Sequence, residues 1–412
     1  MRSEECRGGS RTALKKEVEM EKWRIRLVNK IDRAGLILLG DGYQVSADEK
    51  DPQGIIVRSG KIDTDKFASL LAVARAGAGV NNITVERATQ AGICVFNTPG
   101  ANANAVAELV FVMAGIGARN IHSGIEFCRG LASLTDEALS REVEGKKSAF
   151  RGFELAGKTL GVLGLGQIGV RVANGGARRE MRTMGFDPNP ILGNIHMLSA
   201  RVILARSLSE VVEHAHILSL HMPYNDKTRG FVNRDLLARM PDGAMLINYA
   251  RGGVVNDEDV RAALDAGKLG CYITDFPSTT LIDHPRVITT PHLGASTEES
   301  EEHCATMAVR ELMGYLEHGS VSHSVNFPNV ESIPGDTVHT RLIMINRDKP
   351  GMIGFASQTI GSHGINIASY LNESNGVIGY NIIDLEDCIS DEVIAIIEGH
   401  PDVIRTRRIC YR

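Results

Sequence analysis

The apolar run Leu160-Gly161-Val162-Leu163 passes directly into Gly164-Leu165-Gly166-Gln167-Ile168-Gly169, and Asp187 closes the next apolar run eighteen positions after the third glycine. Few local patterns restrict a fold as tightly. A strand, a glycine turn and a helix in that order form the first part of a parallel β-α-β unit, so this region must build an open sheet covered by helices. Gly164 permits the tight turn, Gly166 lets backbone approach a pyrophosphate, and Gly169 allows close helix–strand packing. The helix start offers N–H groups and the positive end of its dipole to phosphates. Asp187 is spaced to accept from a ribose 2′-hydroxyl, and its charge repels a 2′-phosphate, which favours NAD over NADP. Gly175 and Gly176 lie inside the following helix, where each costs about 1 kcal/mol relative to alanine, so a locally soft helix is expected.

The same alternation of apolar runs and helical patterns extends both ways. Runs at 25–28, 55–57, 70–74 and 93–96 read as strands, with helices near 64–69, 84–91 and 103–118. A charged, strand-poor stretch at 134–150 follows, and the alternation restarts at Thr159 with strands at 160–163, 183–186, 202–203, 217–220, 244–248, 272–275 and 287–289. Ser207, Asn233 and Asn256 are placed to cap helices between them. A long helix over 297–318 leads to an aperiodic, proline-bearing segment and then to a β-α-β-β-α-β pattern over 342–409, the order of a ferredoxin-like split unit. The expected organisation is an extension at 1–22 that joins no core, a first α/β domain at 23–118 completed by about 300–320, a second at 119–299, a linker at 321–337 and a C-terminal domain at 338–412.

Composition narrows the partners. A net charge of −5 with acids and bases interspersed excludes the basic field that recruits nucleic acid. Seven cysteines at 6, 94, 128, 271, 304, 388 and 410 show no metal-ligand spacing and suit free thiols in a reducing compartment, so no metal and a cytoplasmic location are expected. The most apolar stretch, 103–118, is interrupted by Asn104 and Glu108 and is too short to span a bilayer.

Two runs carry candidate chemistry: Ala250-Arg251-Gly252-Gly253 and Thr290-Pro291-His292-Leu293-Gly294. Arg251 follows the strand at 244–248 and His292 follows that at 287–289, so a parallel sheet brings both to the carboxyl-end crevice where a dinucleotide lies. A permanent cation to hold a 2-keto acid and an imidazole to exchange a proton with its carbonyl are what a 2-hydroxy acid dehydrogenase requires. Asp275 reaches the same rim, where it could accept from a nicotinamide carboxamide or serve as a turn aspartate. His221, beside Met222 and Pro223, reads as rim structure.

Together with the glycine loop, four further stretches carry a resemblance: Val57-Arg58-Ser59, Ala74-Arg75-Ala76-Gly77-Ala78-Gly79-Val80-Asn81-Asn82-Ile83, Asn97-Thr98-Pro99-Gly100-Ala101-Asn102 and Pro291-His292-Leu293-Gly294-Ala295-Ser296-Thr297. Through these the chain resembles the D-isomer-specific 2-hydroxyacid dehydrogenase family, and within it the 3-phosphoglycerate dehydrogenases of the shorter form with one C-terminal ACT domain. The likeness covers nearly everything after residue 22. It implies two doubly wound Rossmann-like α/β domains, one for substrate and one for NAD, plus a ferredoxin-like ACT domain. It also implies NAD-dependent oxidation of a phosphorylated 2-hydroxy acid in serine biosynthesis, with assembly as a homodimer or homotetramer. Arg251 would bind the carboxylate and carbonyl, and His292 would take the hydroxyl proton. Arg58, Ser59, Ala78, Gly79, Asn81 and Lys147 match the substrate-binding stretch. Gln167, Ile168, Pro223, Ala250 and Gly294 join Gly164, Gly166, Gly169, Asp187 and Asp275 around the cofactor.

Two departures from the family stand out. A glutamate that orients the histidine is expected five positions after Asp275, where the chain has Thr280. A hydroxyl cannot raise an imidazole pKa as a carboxylate does, so a weakened enzyme is expected unless Asp283 bends in to substitute. In the ACT unit the family's serine pocket maps to Asn346, Asp348 and Asn366, with an aspartate where an amide is usual. A reductase for glyoxylate or hydroxypyruvate, and an NAD-sensing protein without turnover, remain alternatives.

Overall fold

The computed structural model describes residues 22–411, so the extension read at 1–22 lies outside the described residues save Lys22. Five strands, β1 (Trp23–Val28), β2 (Tyr43–Ser46), β3 (Gly54–Val57), β4 (Ala72–Arg75) and β5 (Cys94–Phe96), form a parallel sheet in the order β2-β1-β3-β4-β5. Seven more, β6 (Thr159–Leu163), β7 (Arg182–Phe186), β8 (Ile203–Leu204), β9 (Ile217–Leu220), β10 (Ala244–Asn248), β11 (Leu269–Thr274) and β12 (Val287–Thr289), form a second parallel sheet in the order β12-β11-β10-β9-β6-β7-β8. The order reverses at β6, and the glycine loop leaves that strand at the switch point, where an open α/β sheet forms its ligand crevice. Strands β13 (Thr340–Arg347), β14 (Ile367–Ser374), β15 (Ile378–Leu385) and β16 (Val403–Cys410) make an antiparallel sheet in the order β14-β15-β13-β16, covered by helices Met352–Ser362 and Asp391–Glu398. This is an ACT-like unit.

The apolar strand runs are buried on both faces, as the strands of helix-covered parallel sheets must be: every residue of β3, β6, β9 and β10 is buried. The helix Glu298–His318, capped by Thr297 at one end and left-handed Gly319 at the other, lies against the first sheet. Its Cys304, Ala308, Leu312 and Tyr315 share a core with Ile25, Ile56 and Phe96, and the same core takes in Ile343, Ile345 and Tyr380 of the ACT sheet. The ACT sheet is thus docked on the helix that follows the His292 loop.

Two expectations need correction. The helix Ala103–Ala118 packs with the second sheet, not the first: Val106, Val110, Phe111 and Ala114 share a core with Val162, Val170, Ile247 and Ile273. Its apolar residues spread around the whole helix, and they match the close surface that the glycines of the helix Gln167–Arg178 offer. Those glycines are not a soft point. A Cβ on Gly175 would stand 2.4 Å from the Phe111 ring, and one on Gly176 would stand 2.6 Å from both Leu160 and Thr183. Their absence of side chain is what lets helix meet helix and strand. The charged stretch at 134–150 holds no strand, as expected, and is helical over Asp136–Lys146, with the helix Ile121–Gly130 preceding it. Among the described residues no single helix is long and apolar enough to cross a membrane.

Candidate active site

Every strand of the second sheet runs the same way, so the loops after β6, β7, β9, β10, β11 and β12 converge on one edge. The phosphate-binding loop has the shape that its sequence demands. Gly164 is left-handed at φ 93°, and a Cβ there would stand 2.6 Å from the His221 carbonyl oxygen. A Cβ on Gly169 would fall 1.9 Å from the Gly164 oxygen, whereas Gly166 faces open space. That open face beside the start of a twelve-residue helix fits a pyrophosphate. Asp187 accepts from the Leu165 N–H at 2.8 Å and the Asn189 N–H at 2.8 Å, which pins the carboxylate at the end of β7 beside the loop. The Gln167 amide donates to Asn194 Oδ1 at 2.8 Å. His221 is structural: its Nε2 meets Ser219 Oγ at 2.8 Å, and burial pushes its pKa down to about 3, so it stays neutral.

Asp275 acts as the turn aspartate of its two readings. Its Oδ1 accepts from Thr290 Oγ1 at 2.6 Å and Leu293 N at 2.7 Å, and its Oδ2 accepts from Gly294 N at 2.6 Å. The loop so held presents His292 with φ 58° and leaves the residue exposed. The His292 ring meets Phe276 edge-on with centroids 5.1 Å apart, and Phe276 also lies against Gly252, where a Cβ would stand 3.2 Å away. Phe276 therefore bridges the Arg251 loop and the imidazole.

The first sheet supplies the opposite wall. Arg75, at the end of β4, donates from Nε to the Arg58 carbonyl at 3.0 Å and from Nη1 to the Gly79 carbonyl. A Cβ on Gly79 would stand 3.2 Å from Arg251 Nη2 and 3.3 Å from Arg75 Nη1, so the two walls meet at this glycine. Burial, and then the neighbouring charges of Arg251 and Arg58, hold the Arg75 guanidinium below its ordinary pKa. The Ala78 carbonyl accepts from Asn97 Nδ2 at 2.5 Å, and the Ser59 N–H donates to Asn29 Oδ1 at 3.0 Å. Asn81 is exposed at the rim. Gly100 meets Gln167 across the crevice, with its would-be Cβ 3.0 Å from Gln167 Cγ. Three guanidinium groups, from Arg58, Arg75 and Arg251, thus cluster where the two walls meet. Their carboxylate partner among the described residues is Glu301, whose Oε2 lies 2.7 Å from Arg58 Nη1.

Other expected residues are not brought to this place. Thr280 points its hydroxyl at Glu258 Oε1 at 3.4 Å, and its carbonyl accepts from Arg261. Asp283 pairs with the same Arg261 at 2.8 Å, so the loop is fastened to the helix Asp257–Asp265 and does not bend toward the imidazole. Lys147 pairs with Glu144 in the charged helical stretch and touches none of the cleft arginines. In the ACT unit the three effector residues are separated. Asp348 accepts from Ser374 at 2.6 Å beyond one end of β13, while Asn366 donates to Glu386 at 2.7 Å beside the strand ends at Leu385 and Thr340. The eight residues of β13, on the order of 26 Å, lie between. Asn346 is buried and accepts from Asn381 Nδ2 at 2.7 Å. Sequence reading overlooked Arg75, Phe276 and Glu301. Arg75 had a signal: like Arg58, it ends an apolar strand of the first sheet at its carboxyl edge.

Comparison with known proteins agrees with this geometry. Residues 122–294 match the model of the D-isomer specific 2-hydroxyacid dehydrogenase NAD binding domain. The chain is 36% identical over 291 residues to D-3-phosphoglycerate dehydrogenase of Methanocaldococcus jannaschii, a match covering 68% of this chain and 53% of that one. It therefore spans about half the length of that relative. With D-3-phosphoglycerate dehydrogenase of Haemophilus influenzae the identity is 31% over 350 residues, 82% of this chain and 81% of the other. The crystal structure of NAD+-bound 3-phosphoglycerate dehydrogenase from Entamoeba histolytica superposes with a TM-score of 0.59 at 27% identity, covering 74% of this chain and 99% of that one.

Proposed function

Because the chain belongs to the D-isomer-specific 2-hydroxyacid dehydrogenase family, we propose that it oxidises D-3-phosphoglycerate to 3-phosphohydroxypyruvate with NAD, a first step toward serine. The arginine cluster carries this reading. A substrate with one carboxylate needs one cation; Arg58, Arg75 and Arg251 outnumber Glu301, the carboxylate paired with Arg58, which suits a substrate bearing a phosphate as well.

The roles follow from position. Arg251 holds the substrate carboxylate and orients the reacting carbon between the two walls, while Arg75 and Arg58 take the phosphate. The imidazole of His292 accepts the proton of the C2 hydroxyl as the C2 hydride leaves, and returns it in the reverse direction. NAD, when bound on the glycine loop, supplies the hydride acceptor. Asp275 fixes the loop and so sets where the imidazole stands. Homo-oligomeric assembly and L-serine control belong to the same reading. Because one chain keeps Asp348 and Asn366 at opposite ends of a sheet, a shared serine pocket would have to form between chains.

The test is NADH oxidation with 3-phosphohydroxypyruvate, hydroxypyruvate and glyoxylate side by side. A kcat/KM at least about tenfold higher for the phosphorylated acid supports the assignment, and equal values make the chain a general 2-hydroxy acid dehydrogenase. One observation favours a second reading as a slow or NAD-sensing protein: no carboxylate hydrogen-bonds the His292 ring among the described residues. NAD binding without turnover of any of the three acids would establish it.

A further inference from the structure

We propose that Glu301 is a specificity-determining residue, a counterion that occupies Arg58 until the phosphoryl group of the substrate displaces it. This inference rests on the phosphorylated-substrate reading above. Glu301 sits in the first turn of the helix Glu298–His318, which begins directly after the loop bearing His292. Its Oε2 lies 2.7 Å from Arg58 Nη1, and the two side chains are 40% and 37% exposed, so the pair is open to solvent and can be exchanged.

Arg58 is one of the three cations that meet in the cleft, and it is the one with a carboxylate partner; Arg75 and Arg251 donate to backbone carbonyls. An anion entering beside Arg75 therefore finds Arg58 already engaged. A dianionic phosphate competes for that guanidinium far better than a carboxylate, because its attraction to a given cation is about twice as large at equal distance. While paired, Glu301 also repels whatever anion sits beside Arg58. A singly charged 2-keto acid gains too little from Arg58 to break the pair, and it binds to Arg251 alone. Glu301 thus weakens binding of every anion at Arg58 and leaves phosphate as the ligand able to overcome it.

The prediction concerns Glu301→Gln, which frees Arg58 and removes the repulsion. The KM for 3-phosphohydroxypyruvate should fall about tenfold with little change in kcat, and inorganic phosphate should inhibit about tenfold more tightly. Glu302→Gln removes the same charge from the same helical turn at an exposed position, and it should shift neither value by more than about twofold. Equal responses of Glu301→Gln and Glu302→Gln would reduce the effect to general charge and overturn the proposal, as would a KM that rises in Glu301→Gln. The phosphate arm separates the two levels of inference. If the wild type shows no preference for the phosphorylated acid, the functional reading fails, yet tighter phosphate inhibition in Glu301→Gln still reports the exchange at Arg58. If the preference holds and phosphate inhibition is unchanged, the counterion role fails alone.

Discussion

The main-chain N–H of His292 donates to the carbonyl oxygen of Asp275 at 3.2 Å, and the Asp275 carboxylate takes three further donors from the same loop. His292 lies in the left-handed region at φ 58°, a conformation that costs a residue with a Cβ about 1–2 kcal/mol. Asp275 is what holds it there. Asp275→Asn puts an amide N–H₂ against a donor already in place, and loss of a buried, charge-assisted interaction costs about 1.5–3 kcal/mol. The expected result is a lower Tm together with a kcat reduced at least about tenfold, while NAD affinity is largely kept. Calorimetry, steady-state kinetics and NAD titration on one preparation check all three.

The loop at 278–284 is fastened away from the imidazole, which makes two substitutions informative. Asp283 is exposed and its pKa is lowered by the hydrogen bond and charge of Arg261. Asp283→Asn should leave the pH–rate profile of oxidation unchanged. Thr280→Glu, meant to restore a carboxylate, would place it beside Glu258, 3.4 Å from the present hydroxyl. Like-charge repulsion then turns the new group outward, and no gain in kcat is expected. A shifted profile in the first variant, or a raised kcat in the second, would show that the loop closes on His292 during catalysis.

These residues also mark how far the sequence could be read. Strands such as Gly54–Val57 and Ala244–Asn248 are plain because strands buried on both faces need continuous apolar runs. The edge strand Tyr43–Ser46 escaped because an edge need not be apolar, and the helices at 121–146 escaped because their charges mask a thin apolar stripe. In the site, glycines and strand-end residues are fixed by the local chain and could be placed. Thr280, Asp283 and the separated Asp348 and Asn366 depend on how a loop or a sheet is docked, and no local pattern encodes that. The partner sheet of the helix Ala103–Ala118 is illegible for the same reason: apolar residues on most of its circumference do not say which neighbour they meet.

Glu311 gives the fold a pH dependence. It is buried beneath the linker with Oε1 2.9 Å from His323 Nδ1 and Oε2 without a partner, and burial pushes its pKa up to about 9. An acid whose pKa is raised on folding binds more protons when folded than unfolded, so its contribution is most favourable below its ordinary value of 4.5 and is lost as pH rises toward 9. The loss is at most about 1.4 kcal/mol per pH unit inside that window. Glu311→Gln should therefore match the wild type in urea denaturation near pH 5 and exceed it at pH 8. A wild type that keeps its full stability to pH 8 would mean that His323 neutralises the carboxylate.

Docking of the ACT unit depends on Arg341, which is wholly buried. It pairs with Asp384 at 2.6 Å and 2.9 Å and donates to the carbonyls of His318 and Ser332, each at 2.8 Å. One side chain thus joins the ACT sheet to the helix Glu298–His318 and to the linker. Removing one partner of a buried pair costs about 3–5 kcal/mol, because the other charge is left unpaired. Asp384→Ala should expose the linker near residue 332 to limited proteolysis at protease levels that leave the wild type intact. Replacing both residues by apolar ones of similar volume, Arg341→Met with Asp384→Leu, should recover much of the stability while the hydrogen bonds to the linker stay lost.

Gly175 tests whether the helix behind the cofactor loop is soft or tightly packed. By helix propensity alone, Gly175→Ala should stabilise by about 1 kcal/mol. The structure opposes this: the new Cβ would fall 2.4 Å from Phe111, whose ring is buried and has the Arg179 guanidinium 4.0 Å from its centroid. With one face covered by Arg179 and the other elements packed around it, the ring has little room to withdraw, and overpacking of this kind costs about 1–3 kcal/mol. The net change should be a loss of stability. Gly124→Ala is the matched control, a glycine inside the helix Ile121–Gly130 whose Cβ would meet nothing within 4 Å. It should gain what Gly175→Ala loses. If both variants gain equally in thermal unfolding, the helix yields to the added methyl, and softness inferred from the two glycines is right after all. If Gly175→Ala also weakens NAD binding, the strain has travelled up one helix to the phosphate loop, since Gln167–Arg178 carries both.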